Sequence, residues 1–135
     1  MENSFKIKII TPDRMFFDGE IESLVINTDT GEMGVLKGRL PVVTTVKSGI
    51  MRLLFRGRWM EAVNSDGMIA VMRDGVTVLV ESCEWPYEVS SEKTEEKIDE
   101  LRKKEKKAKS VYESKMLKAQ LAAQFAKLKI KSGDD

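Results

Sequence analysis

Three glycines, a lysine and an arginine lie within residues 29–39, DTGEMGVLKGR, a composition that raises the question of phosphate binding. A Walker loop requires G-x-x-x-x-G-K-[ST] and a dinucleotide loop requires G-x-G-x-x-G, each followed by a helix whose N-terminus meets the phosphate. Gly31, Gly34 and Gly38 match neither spacing. The sequence that follows, RLPVVTTV, favours a strand because it holds Pro41 and several β-branched residues. We interpret the three glycines as turn formers.

A second candidate is the cluster of basic side chains in RKKEKKAK. Its members are Arg102, Lys103, Lys104, Lys106, Lys107 and Lys109. Such a cluster can neutralise nucleic-acid phosphates, contact an acidic surface on a protein partner, or form a solvated helix face. No aromatic residue is interleaved with it and the chain carries a net charge of only +1, so nucleic-acid binding is the least favoured of the three. The other two interpretations stay open.

Residue types suited to catalysis are scarce. The chain has no histidine and one cysteine, and no nucleophile stands beside an evident base. A zinc site of the cysteine and histidine type therefore cannot be built. Cys83 directly follows the apolar run VTVLVES, which is typical of a small core or edge residue. We predict a protein that is not itself an enzyme and that holds no metal or cofactor.

Length and composition indicate a globular protein whose net charge is too small to create a strong electrostatic field around the whole molecule. With 135 residues and 41% hydrophobic content, the chain is long enough for one domain or for a small domain with an appendage. Its 23 basic and 22 acidic side chains nearly cancel, so any electrostatic partner must meet a local patch. The N-terminus lacks the apolar core of a signal peptide, and no run approaches the ~20 apolar residues that span a bilayer. We expect a cytoplasmic protein that reaches a membrane only through a partner.

The residue composition and the predicted secondary structure change near Pro86. Eight of the nine glycines and all three prolines precede Tyr87. In this part, runs such as FKIKII and GVTVLV show the period of two that is typical of half-buried strands. Between the runs stand Asp18-Gly19, Thr30-Gly31, Ser48-Gly49, Arg56-Gly57, Asp66-Gly67 and Asp74-Gly75. We predict an all-β sandwich or flattened barrel over residues 1–87, with turns at these dipeptides and a tight hairpin at Asp74-Gly75.

Residues 88–135 have a helical composition, rich in Glu, Lys, Ala, Leu and Gln. Ser90 or Ser91 can cap the first helix. Two apolar stripes follow at helical spacing, one formed by Ile98, Leu101, Ala108 and Tyr112, the other by Leu117, Leu121, Phe125 and Leu128. Because residues 88–131 contain no glycine or proline, one long helix and a hairpin bent near residues 110–114 are both open. We predict a two-helix tail whose stripes cover each other in the hairpin.

Two longer stretches carry a family resemblance. Residues 10–53, ITPDRMFFDGEIESLVINTDTGEMGVLKGRLPVVTTVKSGIMRL, are similar to the early strands and the G-x-[ILM]-G-[IV]-L-P-x-H-x-P loop of the epsilon subunits of bacterial F-type rotary ATP synthases, the counterparts of the mitochondrial delta subunit. Residues 74–89, DGVTVLVESCEWPYEV, resemble the closing strand of that family. The helical tail follows in the expected place. Lys37 stands where the family usually has proline and Arg39 where it often has histidine, which makes this loop more basic.

The resemblance implies a non-catalytic rotor subunit. With the gamma subunit, such a sandwich forms the foot of the central stalk and docks on the ring of c subunits, coupling ion-driven rotation to ATP synthesis in the alpha/beta catalytic head. The tail can fold against the sandwich, or extend along gamma into the head and restrain ATP hydrolysis. By position, Glu32 faces the c ring with Met33 and Arg39 nearby. The basic cluster then gains a target in the acidic loop region of the beta subunits, and the expected location is peripheral, at the cytoplasmic face of the cell membrane.

Some bacterial members of that family bind ATP in the tail through I-D-x-x-R-A and arginines on the second helix. The matching residues here are Ile98, Asp99, Arg102 and, on the second helix, Lys127. Lys103 replaces the motif alanine, and Ala123 stands where another arginine is expected. Since bidentate phosphate donors are lost, we expect weak or absent ATP binding. A nucleic-acid-binding adaptor that uses residues 102–109 stays as the alternative function.

Overall fold

The computed structural model describes residues 3–108 and 110–132, the side chain of Ser132 excepted. Ten strands come first: β1 Phe5–Ile10, β2 Met15–Ile21, β3 Ser23–Thr28, β4 Gly31–Val35, β5 Val42–Val46, β6 Gly49–Phe55, β7 Arg58–Asn64, β8 Gly67–Met72, β9 Gly75–Val80 and β10 Cys83–Glu84. A short 3-10 turn at Pro86–Glu88 leads to helices α1 Ser91–Lys106 and α2 Val111–Ser132. The predicted β-then-α architecture is confirmed.

The strands form one sheet in the order β10-β7-β6-β3-β5-β8-β9-β1-β2, with β4 paired to β3. All the pairs are antiparallel except β1 with β9. Side chains alternate as the sequence predicts: Ile7 and Ile9 are buried while Lys6 and Lys8 are exposed. The sheet closes around a single apolar core, to which nearly every strand contributes.

One predicted turn is wrong. Asp18-Gly19 lies inside β2, where Asp18 pairs with Lys8 and Gly19 with Ile7. The chain reverses earlier, at residues 11–14, where the Thr11 N–H donates to the Arg14 carbonyl oxygen. The preference of this dipeptide for a turn is outweighed here, because an extended β2 forms a full ladder of hydrogen bonds with β1. The hairpin at Asp74-Gly75 is confirmed, since it joins β8 to β9.

The interpretation of the three glycines as turn formers holds for Gly31 and Gly38 but is wrong for Gly34, which lies inside β4 and pairs with Val25. Gly31 (φ 114°) opens β4 and Gly38 (φ 85°) lies in the loop before β5, both in backbone conformations that favour glycine. A strand, not a helix, follows the loop. No helix N-terminus is therefore available to this stretch for holding a phosphate.

The tail is a hairpin in which α1 ends at Lys106 and α2 begins at Val111, so the second helix starts earlier than a bend at 110–114 would place it. Ser90 caps α1 by accepting the Lys93 N–H at 3.3 Å. Ser110 caps α2 in the same way, accepting the Glu113 N–H at 3.0 Å. The capping serine, which the sequence offers within the predicted bend, is the physical signal that separates the two helices.

The helices bury their facing stripes against each other. Ile98, Leu101, Leu117 and Leu121 form the buried cluster, with Ala108 and Leu128 packed against it. Two members of the predicted stripes stay outside it, because Tyr112 is 75% and Phe125 43% exposed. In the part of the chain described by the structure, no helix has the length and apolar character needed to cross a membrane.

Candidate functional site

Arg14 contacts the segment through which the chain leaves the sandwich, residues 83–88. Its Nη2 lies 2.8 Å from Glu88 Oε1 and donates to the Cys83 carbonyl oxygen at 3.3 Å. The same Glu88 oxygen accepts the Trp85 backbone N–H at 2.9 Å. The Trp85 ring stacks on Phe16, with 4.4 Å between the centroids. Together these contacts set the direction in which the tail begins.

The electrostatics of this junction follow from its contacts. The hydrogen bond from Arg14 holds the pKa of the Glu88 carboxyl below its usual 4.5, although partial desolvation opposes the shift. Burial raises the pKa of the Cys83 thiol to about 12, so this cysteine is neutral at physiological pH. The junction therefore pairs a firmly ionised carboxylate with an arginine, and its cysteine lacks the thiolate that a nucleophile needs.

The C-terminal part of α2 lies on the outer face of β6 and β7. Ile130, 2% exposed, packs with Val63 of β7 and Val89. Ile50 of β6 and Ala126 complete this small cluster. The cluster contains far fewer residues than the core of the sandwich, so it contributes correspondingly less apolar burial to holding the tail.

Polar contacts lie beside this cluster. Lys127 Nζ is 2.5 Å from Glu84 Oε1 on β10, and the two side chains are only 19% and 27% exposed. Lys131 Nζ donates to the Pro86 carbonyl oxygen at 3.4 Å. Ion pairs and small apolar contacts of this kind suit an interface that opens and closes. One ion pair, one charged hydrogen bond and a small apolar cluster thus join the tail to the sandwich.

Of the residues expected to face a partner ring, Glu32 and Met33 lie on β4, and Arg39 lies in the loop that follows it. Among the described strands, β4 pairs with β3 alone, so its other edge is open. Glu32 is exposed and lies 3.8 Å from Arg52 Nη2, while Met33 packs against the core. Arg39 Nη1 donates to the Gly34 carbonyl oxygen. Arg39 therefore covers a backbone group on the open edge, which limits strand-to-strand association.

The expected nucleotide residues are separated in the folded tail. Ile98 is buried between the helices, whereas Asp99 is exposed. The Arg102 guanidinium lies over the Phe125 ring, 5.1 Å from its centroid. Lys127 points instead to the sandwich, where Glu84 is its partner. Arg102 and Lys127 thus have different partners in this arrangement.

The basic cluster lies at the end of α1. Arg102, Lys103, Lys104 and Lys106 belong to the helix, Lys107 follows as its C-cap, and all five are exposed. Lys109 lies outside the described residues. Cations in the last turn are favourable because the helix dipole is negative there, which gives the cluster a local structural role as well.

Comparison with known proteins places this geometry in a family. The model of the family "ATP synthase, Delta/Epsilon chain, beta-sandwich domain" matches residues 4–86. The chain belongs to the ATP synthase delta/epsilon chain family. An ATP synthase epsilon chain of Caldanaerobacter subterraneus is 33% identical over 98% of this chain and 96% of its own length. One from Ruminiclostridium cellulolyticum is 40% identical over 64% of each chain.

Solved structures of the ATP synthase share the fold of this delta/epsilon family member. A chain in the Euglena gracilis mitochondrial ATP synthase (OSCP/F1/c-ring) superposes with a TM-score of 0.75 at 21% identity, covering 91% of this chain and 78% of that one. A chain in the Tetrahymena thermophila mitochondrial ATP synthase (central stalk/c-ring) gives 0.69 at 12% identity, covering 95% and 96%. At these identities the likeness concerns the fold alone.

Sequence reasoning did not single out the residues that dock the tail of this family member. Glu84 is not among the residues predicted above, and Ile130 lies beyond the second apolar stripe. Arg14 carried no signal at all, since its partner Glu88 is 74 residues away. Ile130 could have been found from Ala126, because a spacing of four places the two on one side of a helix.

Proposed function

We propose that this chain is a central-stalk subunit of an F-type ATP synthase, which couples rotation of an ion-driven c ring to ATP synthesis in the catalytic head. The observation that carries the proposal is the family match over residues 4–86, together with 33% identity to an ATP synthase epsilon chain over 98% of this chain, the tail included. The chain itself is the non-catalytic component of that enzyme. The same observation favours a stalk role over a nucleic-acid adaptor based on the basic helix.

For the sandwich, the proposed partners are the gamma subunit and the c ring. Glu32 suits a contact with the ring because it is exposed on the open edge strand β4. Arg39 supports that edge by bonding to Gly34. Met33 would support the strand from the core side. The protein would be peripheral, at the cytoplasmic face of the membrane that holds the ring.

For the tail, we propose a regulatory role. The folded hairpin is held by a small apolar cluster and by the pair of Lys127 with Glu84, so its release requires few contacts to break. A released tail can reach the alpha/beta head, where the exposed basic residues 102–107 would contact acidic surfaces and restrain ATP hydrolysis.

We also propose that ATP is not what holds this tail folded. Lys127, the second-helix residue expected at a phosphate, is engaged by Glu84. Ile98 is buried between the helices. Isothermal calorimetry of the full chain at millimolar ATP tests this directly. We expect no binding heat, and heat that disappears in Arg102→Ala would refute it.

The stalk function is tested by truncation after Tyr87, between the sandwich residues 1–87 and the tail residues 88–135. Full chain and truncated chain are each assembled with gamma, the c ring and the alpha/beta head. We expect both to co-purify with the complex, and the truncated form to raise its ATP hydrolysis. Failure of the full chain to co-purify would refute the stalk role. Equal hydrolysis in the two complexes would refute the regulatory role alone.

A further inference from the structure

Residues 83–88, here called the exit segment, are attached to the sandwich before the tail begins. Cys83 and Glu84 form β10, which pairs with the end of β7. Trp85 packs against the core of the sandwich, and its ring stacks on Phe16 with 4.4 Å between the centroids. Backbone hydrogen bonds and apolar packing thus both hold this segment. The exit segment therefore belongs to the sandwich, although the chain has already passed the last long strand.

Arg14 joins the two ends of the exit segment. Its Nη2 donates to the Cys83 carbonyl oxygen at 3.3 Å and lies 2.8 Å from Glu88 Oε1. The guanidinium also lies over the Phe16 ring, 5.2 Å from its centroid. The backbone of Arg14 is held in turn, because its N–H donates to Thr11 Oγ1 and its carbonyl oxygen accepts the Thr11 N–H. One side chain from the turn between β1 and β2 thus fixes both ends, which requires the several donors of a planar guanidinium.

The exit segment also receives the lysines of the docked tail. Lys127 Nζ lies 2.5 Å from Glu84 Oε1, and Lys131 Nζ donates to the Pro86 carbonyl oxygen at 3.4 Å. Both acceptors lie between the two ends that Arg14 holds. The position of the exit segment therefore decides whether the two lysines reach their acceptors when α2 lies on the sheet.

The hydrogen bonds of the backbone divide at the peptide unit between Val89 and Ser90. On one side, the Val89 N–H donates to the Pro86 carbonyl oxygen at 3.2 Å. On the other side, Ser90 accepts the Thr94 N–H on its carbonyl oxygen at 3.0 Å and the Lys93 N–H on its hydroxyl at 3.3 Å. Val89 (φ −81°, ψ 127°) and Ser90 (φ −97°, ψ 115°) are both extended. Rotation about the Val89 Cα–C and Ser90 N–Cα bonds can therefore turn the helices while all these hydrogen bonds persist.

We propose that the tail pivots at the peptide unit between Val89 and Ser90, against an exit segment that Arg14 holds on the sandwich. Arg14 is then a positioning residue, which acts on the tail by holding Glu84 and the Pro86 carbonyl where the lysines of α2 meet them. This pivot deepens the regulatory role proposed for the tail and rests on it. Because the pivot is a single peptide unit, a released tail stays at a high effective concentration near its docking surface.

Hydrogen exchange of single amides, measured by NMR on the free full-length chain, tests the positioning role. Arg14→Met should speed exchange at the Trp85 and Glu88 amides by about threefold to tenfold, because the ion pair and the bond to the carbonyl are lost. It should also speed exchange in α2 by about twofold or more, since the acceptors of the lysines are no longer held. Arg14→Lys keeps one donor and should give intermediate rates. Arg58→Met, at an exposed position on β7, is the matched control and should behave like the wild type.

A pair of variants in α2 tests the place of the pivot. Ile130→Glu puts a charge into the apolar cluster on β7 and should release the tail, whereas Ala122→Glu puts the same charge on an exposed position and should leave it docked. Backbone amide relaxation, measured by NMR, then shows which residues tumble together. In Ile130→Glu, we expect the amides up to Val89 to move with the sandwich and those from Ser91 onward to move separately.

Two results would overturn the proposal. Exchange in α2 that is the same in Arg14→Met as in the wild type would remove the positioning role, and an exit segment that moves with the released helices would place the pivot before Cys83. Both measurements use the chain alone. Failure of the wild type to co-purify with the complex would instead refute the stalk function and leave these results unchanged, so the two failures are distinguishable. Circular dichroism confirms that each variant is folded.

Discussion

Lys127 Nζ on α2 lies 2.5 Å from Glu84 Oε1 on β10, so one partly buried ion pair joins the last third of the tail to the last strand of the sandwich. The pair is neighboured by the apolar cluster around Ile130. It is the ionic component of an otherwise small interface, and this makes the position of the tail sensitive to single substitutions.

Glu84→Gln should loosen the tail in the full chain. Removing the charge leaves Lys127 without its ionic partner. Ion pairs at this level of exposure contribute about 0.5–1 kcal/mol to the free energy of the contact, which corresponds to a change of up to about fivefold in the ratio of released to docked tail. Hydrogen exchange of α2, followed by mass spectrometry, measures that ratio. The double exchange of Glu84→Lys with Lys127→Glu should restore protection. Unchanged exchange in Glu84→Gln would show that the pair does not hold the tail.

The pair of Arg14 with Glu88 should make stability depend on pH in the acidic range. The folded pKa of Glu88 is lowered from its usual 4.5, so the stabilisation is fully present above that value and is lost as the pH falls through the folded pKa. Melting temperatures of the wild type and Glu88→Gln from pH 7 to 3 test this. We expect the wild type to melt higher at pH 7 and the difference to vanish at the acidic end. A difference that persists undiminished would contradict this origin.

Gly67 and Gly34 provide a matched test of packing in the sheet. A Cβ at Gly67 would overlap the Leu79 carbonyl oxygen and lie 2.8 Å from Val80 Cγ1, whereas one at Gly34 meets nothing within 4 Å. Gly67→Ala should therefore force β8 from β9 and cost about 1–3 kcal/mol or more. Gly34→Ala should stay within about 0.5 kcal/mol of the wild type. Urea unfolding of both variants measures the costs, and equal stabilities would refute the prediction.

Cys83 should resist thiol reagents while the protein is folded. Its side chain is 4% exposed, and burial raises the pKa of the thiol to about 12, so little thiolate forms at pH 8. Iodoacetamide labelling of Cys83 at pH 8, measured by mass spectrometry, should be slow in buffer and rapid in 8 M urea. The urea sample is the control that shows the reagent to be active. Rapid labelling in buffer would mean that the β10 region opens readily.

Much of the sheet could be predicted from the sequence because its signals are local. The alternation of Ile7 and Ile9 with lysines depends only on the period of a strand, and the turn at Asp74-Gly75 only on backbone preference. Asp18-Gly19 shows the limit of that reasoning. Its preference for a turn is small compared with the hydrogen bonds of a full ladder, and the partner strand β1 that supplies them is visible only in three dimensions.

The tail contact could be predicted only in part. The helical composition, the cap of the first helix and the facing residues Ile98, Leu101, Leu117 and Leu121 could be predicted from the sequence, whereas the Ser110 cap of α2 was not. Tyr112 and Phe125 fit the same spacing but stay exposed, and the α1 side chain over the Phe125 ring is the guanidinium of Arg102. The docking residues Glu84 and Ile130 meet partners far away in the sequence, and spacing cannot report such contacts.

By itself, the amino-acid sequence determined the order of a β-sandwich and a helical tail, the absence of histidine and of disulfide chemistry, and the resemblance to a rotary-motor subunit. These depend on composition and on short periods along one chain. The tertiary structure alone decided that the tail is docked, that Lys127 turns to Glu84, and that Ile130 is covered while Tyr112 is not. These depend on which distant surfaces meet, and that is settled by packing free energy summed over the whole fold.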